Sequence, residues 1–328
     1  MEARFSPDEE AQMTYAEFER RQTKKRTDVV LCHNCGWNMD LQITNGYEST
    51  TKCFFGHGMR GIWKLGSKYI LKEMPLLNLD EDGHIGADEA TTKFVRENTP
   101  IPVLAEMKHW KDENSHFFLT PRAPGKSLEE AWVELSTETK KTCAREVVEY
   151  MVQLRTHTSA TMQTVDGGPV RNRLIGNRNN LATEFDDKET WWARVEHAFS
   201  KRSEEWREKM KTEYPLHATP YVLTHGDLNT GNVFVHNGHA SAIIDWEHAG
   251  YFPDWWEFAT AWTFIEEAEW QHYILEEMKK QLKTQFDNQV EAAKFFDSFT
   301  GSHWERNPNR VYNPKTRDNF CECKPNFK

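Results

Sequence analysis

The chain has no apolar run long enough to span a bilayer. Its first ten residues, Met-Glu-Ala-Arg-Phe-Ser-Pro-Asp-Glu-Glu, lack the basic start and apolar core of a secretory signal. These absences lead to the expectation of a soluble cytoplasmic protein with no membrane partner. Cysteine is scarce, six in 328 residues, which suits a reducing compartment better than a disulfide framework. Positive charge is in deficit, with 41 Lys and Arg against 51 Asp and Glu for a net charge of -10. That balance speaks against nucleic acid as a main partner and permits a cationic substrate. There is no internal repeat and no low-complexity segment. What is present is a folded composition, 38% hydrophobic and 12% aromatic, long enough for one large domain or two closely packed lobes.

The most informative stretch runs from Tyr221 to Glu247 and contains Tyr-Val-Leu-Thr-His-Gly-Asp-Leu-Asn-Thr-Gly-Asn, then Val-Phe-Val-His-Asn-Gly-His-Ala-Ser-Ala-Ile-Ile-Asp-Trp-Glu. Strand-like runs at Val233 to Val235 and Ala242 to Ile244 flank Asn237-Gly238, a hairpin-turn signal. Such a hairpin folds Asp245 back toward Asn232, and the loop from His225 to Gly231 brings Asp227 to the same mouth. A carboxylate, an amide and a second carboxylate then converge, a layout suited to a metal-bound phosphate.

His225-Gly226-Asp227-Leu228 with Asn232, followed by Ile243-Ile244-Asp245-Trp246-Glu247, resembles the aminoglycoside phosphotransferase and choline kinase group of kinase-like enzymes, in particular its fungal branch. The resemblance implies an α+β, bilobal protein-kinase-like fold with a small sheet-rich N-lobe and a larger, mainly helical C-lobe. By similarity Asp227 is the catalytic acid-base residue at the acceptor hydroxyl, and Asn232 and Asp245 hold Mg2+ on the nucleotide phosphates. ATP is the implied nucleotide, with GTP as the alternative. Phosphoryl transfer depends on positioning and charge neutralisation more than on covalent help, so residues and chemistry agree.

Upstream, glycines at 56, 58, 61 and 66 alternate with strand-like runs between Lys52 and Lys72, giving two or three antiparallel strands whose bends let backbone amides approach phosphate. Lys72 closes a strand and Glu89 falls in the first turn of a helix 17 residues later. By similarity they are the phosphate-binding lysine and its glutamate partner. His116 to Leu119 reads as the last strand of the first lobe. Pro121, Arg122 and Ala123 are placed by the resemblance at the inter-lobe connection, against adenine, although Pro121 offers no amide donor. Ser127 and Glu130 have capping-box spacing.

Two long helices are expected next, with stripes at Cys143, Val147, Met151 and Leu154, and at Trp192, Val195, Phe199, Trp206 and Met210. Between them Asp166 to Asn172 and Gly176 to Asn180 are turn-rich, a specificity loop or an uncommitted surface loop. After the hairpin, Pro253 and Asp254 suit a helix start, with Asp254 compared to a family residue that braces the catalytic loop. Helices continue to Phe299, and Glu266, Glu267 and Glu269 form an acidic face.

Cys32, Cys35, Cys53 and His57 have the residue types of a zinc set, but the second half is not a tight knuckle, and the expectation is no stoichiometric zinc. The organisation read from the chain is a charged extension over 1–50, an N-lobe over 51–121, a C-lobe over 122–300 and a tail over 301–328. The function that follows is transfer of the terminal phosphate to a hydroxyl of a small molecule. An aminoglycoside, a choline-like amine or another metabolite is compatible, and a silent kinase-like nucleotide-binding protein is the alternative. Oligomeric state leaves no mark in the sequence.

Overall fold

The computed structural model describes residues 51–57, 60–75, 87–113, 115–170, 189, 192–193, 196, 200, 202–215, 220–265, 267–282 and 286–300. The described chain divides into two compact units, one ending at Met74 and the other beginning at Pro75. Cys32 and Cys35, and the residues from Gly301 on, lie outside the described residues.

The first unit carries the expected antiparallel strands, β1 (Thr51–His57), β2 (Arg60–Leu65) and β3 (Tyr69–Pro75). A bulge between Cys53 and Phe55 shifts the β1–β2 register, while β2 and β3 pair without interruption. Gly66 turns between them at φ 62°, a left-handed conformation in which glycine carries no Cβ penalty. Lys72 sits within β3 opposite Ile62 and is half-buried.

In the second unit α1 (Ala87–Asn98) buries one face, Ala87, Asp88, Thr91, Thr92 and Val95. Its helical bonds stop where Thr99 caps Val95 through backbone and hydroxyl, just ahead of Pro100. Strands β4 (Lys108–Lys111) and β5 (Ser115–Pro121) form a hairpin with Lys108 opposite Leu119. Gly125 then lets the chain pass close to the strand that contains Val235, since a Cβ there would meet the Val235 carbonyl oxygen at 2.0 Å. The short β6 (Lys126–Ser127) follows, and Ser127 caps α2 (Leu128–Ala131) by accepting the Glu130 amide at 3.1 Å, as the capping spacing requires.

Helix α3 (Thr137–Leu154) buries the expected stripe, Cys143, Val147, Met151 and Leu154. Each of the aliphatic and thioether side chains contributes roughly 1.5–3 kcal/mol by leaving water. The second stripe needs correction. The helix carrying Trp206 and Met210, α4 (Glu204–Glu213), begins at Ser203, whose hydroxyl accepts the Trp206 amide. A polar cap ends the apolar periodicity read upstream of it; Val195 and Phe199 lie outside the described residues.

Strand β8 (Tyr221–Thr224) pairs with β7 (Thr158–Ser159) and with β11 (Gly250–Phe252). Strands β9 (Val233–His236) and β10 (His239–Ile243) form a hairpin, to which β6 adds on the β9 side. Helices α5 (Trp256–Phe264), α6 (Ala268–Leu282) and α7 (Phe286–Thr300) complete the unit. The core contains fully buried Trp246, Trp256, Trp270 and Phe296. The start of the turn-rich insert is tied in rather than free, because Gln163 accepts the Tyr251 amide at 2.8 Å and Val170 is buried; residues 176–180 lie outside the described chain. Among the described residues no helix is long and apolar enough to cross a membrane.

Candidate active site

Strand β8 delivers the chain to His225, whose ring is fully buried. Its Nδ1 accepts the Asp227 amide at 3.1 Å and its Nε2 lies 3.0 Å from the Ile244 carbonyl. One nitrogen must therefore be bare and the other protonated, which defines a neutral imidazole. Burial pushes its pKa down to about 4, against the pull of the Asp227 and Asp245 carboxylates. Both acids thus lie near enough to His225 to act on it electrostatically.

Gly226 follows at φ 76°, and a Cβ on it would lie 2.9 Å from the His248 carbonyl oxygen. Glycine is required there on both counts. Beyond it, the Asp227 carbonyl accepts the Asn229 amide at 2.9 Å and the Asn232 side-chain amide at 2.9 Å. Asn229 donates its side-chain nitrogen to Asp227 Oδ1 at 2.8 Å and accepts the Gly231 amide at 2.8 Å. Asp227 is consequently held by its backbone and by one carboxylate oxygen.

The hairpin closes the site. Asn237 and Gly238 have φ 51° and 84°, the paired left-handed turn that an Asn-Gly sequence favours. The Ile244 amide then reaches the Asn232 carbonyl at 3.0 Å, which brings Asp245 beside Asn232. Asp245 itself is left-handed, φ 65° and ψ 60°, a conformation tolerated better by Asp than by most side chains. The next residue, Trp246, is buried and donates its amide to Asp88 of α1 at 2.9 Å. On the other side Trp270 of α6 donates its indole N–H to the Leu228 carbonyl at 3.0 Å, and Glu129 of α2 donates its amide to the Thr230 carbonyl at 3.0 Å.

Below the loop is Glu257, in the first turn of α5 and 3% exposed. Its two oxygens accept the amides of His225 at 2.5 Å and Gly226 at 3.0 Å. Burial raises its pKa to about 7, although both amides and Arg155 favour the charge. Asp254, the residue compared to a loop brace, engages Arg155 through its carbonyl at 2.5 Å and its carboxylate at 3.9 Å.

Asp227, Asn232 and Asp245 are therefore brought together by the loop and hairpin. Glu89 lies in the first turn of α1, with Oε2 at 3.4 Å from His109 Nδ1. Pro121 ends β5, and Arg122 after it is exposed. Glu269 of the acidic face is paired with Lys140 at 2.7 Å, and Glu266 lies outside the described residues. Three anchors escaped the sequence reading: Asp88, Arg155 and Glu257. Only Glu257 left a clear trace, as the one acid inside the apolar run Trp-Glu-Phe-Ala-Thr-Ala-Trp, where an unpaired charge is costly.

Asn232 commits its amide nitrogen to the Asp227 carbonyl, so its oxygen is the end that suits a hard cation. Asp245, the residue after the Ile244–Asn232 bond, carries the carboxylate that is the second candidate donor, and among the described residues no three His, Cys, Asp or Glu side chains group as metal ligands. Such a sparse set fits magnesium, which is commonly held by one or two protein groups plus phosphate and water.

Solved aminoglycoside phosphotransferases share the fold. A GDP complex of aminoglycoside 2'-phosphotransferase-IIIa aligns with TM-score 0.50 at 14% identity, covering 85% of this chain and 91% of that one. A thermostable mutant of APH(4)-Ia with ADP and hygromycin B gives 0.52 at 14%, covering 82% and 92%. The GDP and kanamycin complex of APH(2")-IIIa gives 0.51 at 15%, covering 80% and 86%. The sheet-rich N-terminal part and helical C-terminal part are thus those of a kinase-like protein. The pattern of the phosphotransferase enzyme family matches residues 53–291, and the chain belongs to that family. No curated protein sequence matches it significantly.

Proposed function

We propose that the chain transfers the terminal phosphate of ATP to a hydroxyl of a small molecule in the cytoplasm, with magnesium on the nucleotide. The observation that carries this reading is the pair of bonds joining Asn232 to the Asp227 carbonyl and Ile244 to the Asn232 carbonyl. They support a reading in which Asp227, the Asn232 amide oxygen and the Asp245 carboxylate act as one constellation. Magnesium-bound ATP would supply the electrophilic phosphorus and the neutralised leaving group.

The roles then follow. Asp227, oriented by Asn229, takes the proton of the acceptor hydroxyl and aims its oxygen. Asn232 and Asp245 supply the oxygen donors for the metal. Lys72 and Glu89 serve the inner phosphates, and Pro121 to Ala123 border the base, with amides available only at Arg122 and Ala123. Residues 51–121 form the nucleotide lobe and 122–300 the catalytic and acceptor lobe. GTP is the alternative donor, as the GDP complexes of two structural neighbours keep in view.

Calorimetric titration of ATP with and without magnesium tests the metal assignment. Affinity should rise with the metal, and Asp245→Asn, which keeps the left-handed backbone tolerable, should weaken that dependence. Equal affinity in all conditions contradicts it. Mass detection of phosphorylated products over a panel of aminoglycosides, choline-like amines and other small alcohols then separates an enzyme from a silent nucleotide-binding protein.

A further inference from the structure

A mostly buried cation, Arg155, acts on Glu257. Arg155 closes α3, its backbone N–H bonded to the Met151 and Gln153 carbonyls, and its side chain is 13% exposed. Its guanidinium donates to the Asp254 carbonyl at 2.5 Å and approaches the Asp254 carboxylate at 3.9 Å. Asp254 and Glu257 are three residues apart at the start of α5, close to one helical turn. Arg155 acts electrostatically on both of them. The groups facing Glu257 are the His225 and Gly226 amides, the cation of Arg155 and the like charge of Asp227; the neighbouring His225 ring is neutral.

The Glu257 clamp needs an acceptor at each oxygen. Protonation would turn one oxygen into an O–H aimed among N–H donors, and one of the two amides would lose its full partner. Burial and Asp227 both push Glu257 toward that neutral form, and Arg155 opposes them. We propose that Arg155 is a positioning residue for phosphoryl transfer: its charge keeps the Glu257 carboxylate on the His225 and Gly226 amides, and through them fixes the direction of Asp227. Asp254 completes the device by holding the guanidinium in place. The catalytic part of this inference rests on the proposed reaction, whereas the coupling of Arg155 to Glu257 does not.

Arg155→Gln removes the charge and keeps a donor for the Asp254 carbonyl; Arg155→Lys restores the charge. Turnover as a function of pH, KM for ATP and thermal stability as a function of pH are measured on both, on Glu257→Gln and on Arg155→Gln/Glu257→Gln. Arg155→Gln should lose about tenfold in kcat near neutral pH and regain most of it as the pH is raised, because without the cation Glu257 ionises only at higher pH. KM for ATP should stay within about twofold, and Arg155→Lys should recover the neutral-pH rate. A pH-independent loss, a loss shared equally by Arg155→Lys, or no change overturns the proposal.

The stability measurement stands apart from activity. In Arg155→Gln the pH range over which Glu257 titrates should move upward, and in the double variant this pH dependence should vanish. If the wild type phosphorylates nothing, the proposed function fails while the stability curves still decide the coupling. If Arg155→Gln does not fold, a folded and active Arg155→Lys protein, which keeps the charge, supports the proposal, and an Arg155→Lys protein that fails in the same way overturns it.

Discussion

Glu257 of α5 and Glu269 of α6 each tie a helix to another segment, yet their surroundings differ. Glu257 is 3% exposed and accepts two backbone amides; Glu269, with its side chain 38% exposed, accepts the Lys140 ammonium at 2.7 Å and the Tyr273 hydroxyl at 2.7 Å. Burial works against the charge at both sites. At Glu257 it wins and the pKa rises to about 7, whereas at Glu269 hydrogen bonds from Lys140 and Tyr273 outweigh it and the pKa falls below the usual value. Amide dipoles in a dry site compensate a carboxylate less fully than a direct cation near solvent does. The first acid is therefore a costly placement that anchors the loop at His225 and Gly226, and the second is a strut between α3 and α6.

Breaking Glu257 should give the larger effect. Glu257→Gln turns an NH2 toward one backbone N–H and leaves a buried donor unmet, so urea unfolding should show a loss of about 3 kcal/mol. A loss within about 0.5 kcal/mol would remove Glu257 as an anchor.

The same variant sharpens the pH behaviour. Glu257 has its folded pKa raised from 4.5 to about 7, so the native state binds the proton more tightly and stability falls as pH rises across that window. His225 has its folded pKa lowered from 6.5 to about 4. There the unfolded chain binds the proton more tightly, and stability rises with pH between those values. In the wild type the two slopes oppose each other where they overlap. In Glu257→Gln the His225 slope should appear alone, as stability that climbs from about pH 4 to about pH 6.5; an unchanged, flat profile would contradict the pairing.

The smaller effect belongs to the strut. Lys140→Met removes the cation from Glu269 and from the Trp132 ring, over which it lies at 4.4 Å. At this partly exposed site, loss of the ion pair should cost about 0.5–1 kcal/mol and shrink further in high salt. Turnover should not change. A loss as large as that of Glu257→Gln would erase the distinction between the two acids.

Local rules control what is legible in the sequence. Asn237-Gly238 gives the hairpin because its turn needs two positive φ angles; Ser127 gives a helix start because its hydroxyl caps Glu130; the stripe from Cys143 to Leu154 gives a buried helix face. The hairpin in turn sets Asn232 beside Asp245, a pairing that the turn signal and its two flanking strand runs are enough to imply. The anchors beneath the site are not legible in this way, since Arg155 and Glu257 meet only after α3 and α5 pack, and sequence spacing does not encode that meeting. Asp88 and Glu89 are adjacent acids on α1, yet it is Asp88 that accepts the Trp246 amide. Propensity alone does not say which of two neighbouring carboxylates faces the core. At Ser203 a cap overrides an apolar period that runs past it.

Asp227 as the base at the acceptor hydroxyl is the central assignment, and its most direct test measures turnover, ATP binding and thermal stability on one preparation of Asp227→Asn. The amide keeps the shape and the backbone contacts but is a very poor base. Turnover should fall by about 10² to 10⁴-fold, while magnesium-dependent ATP affinity stays within about twofold and the fold remains intact. A folded, ATP-binding Asp227→Asn protein that turns over at the wild-type rate would contradict the assignment.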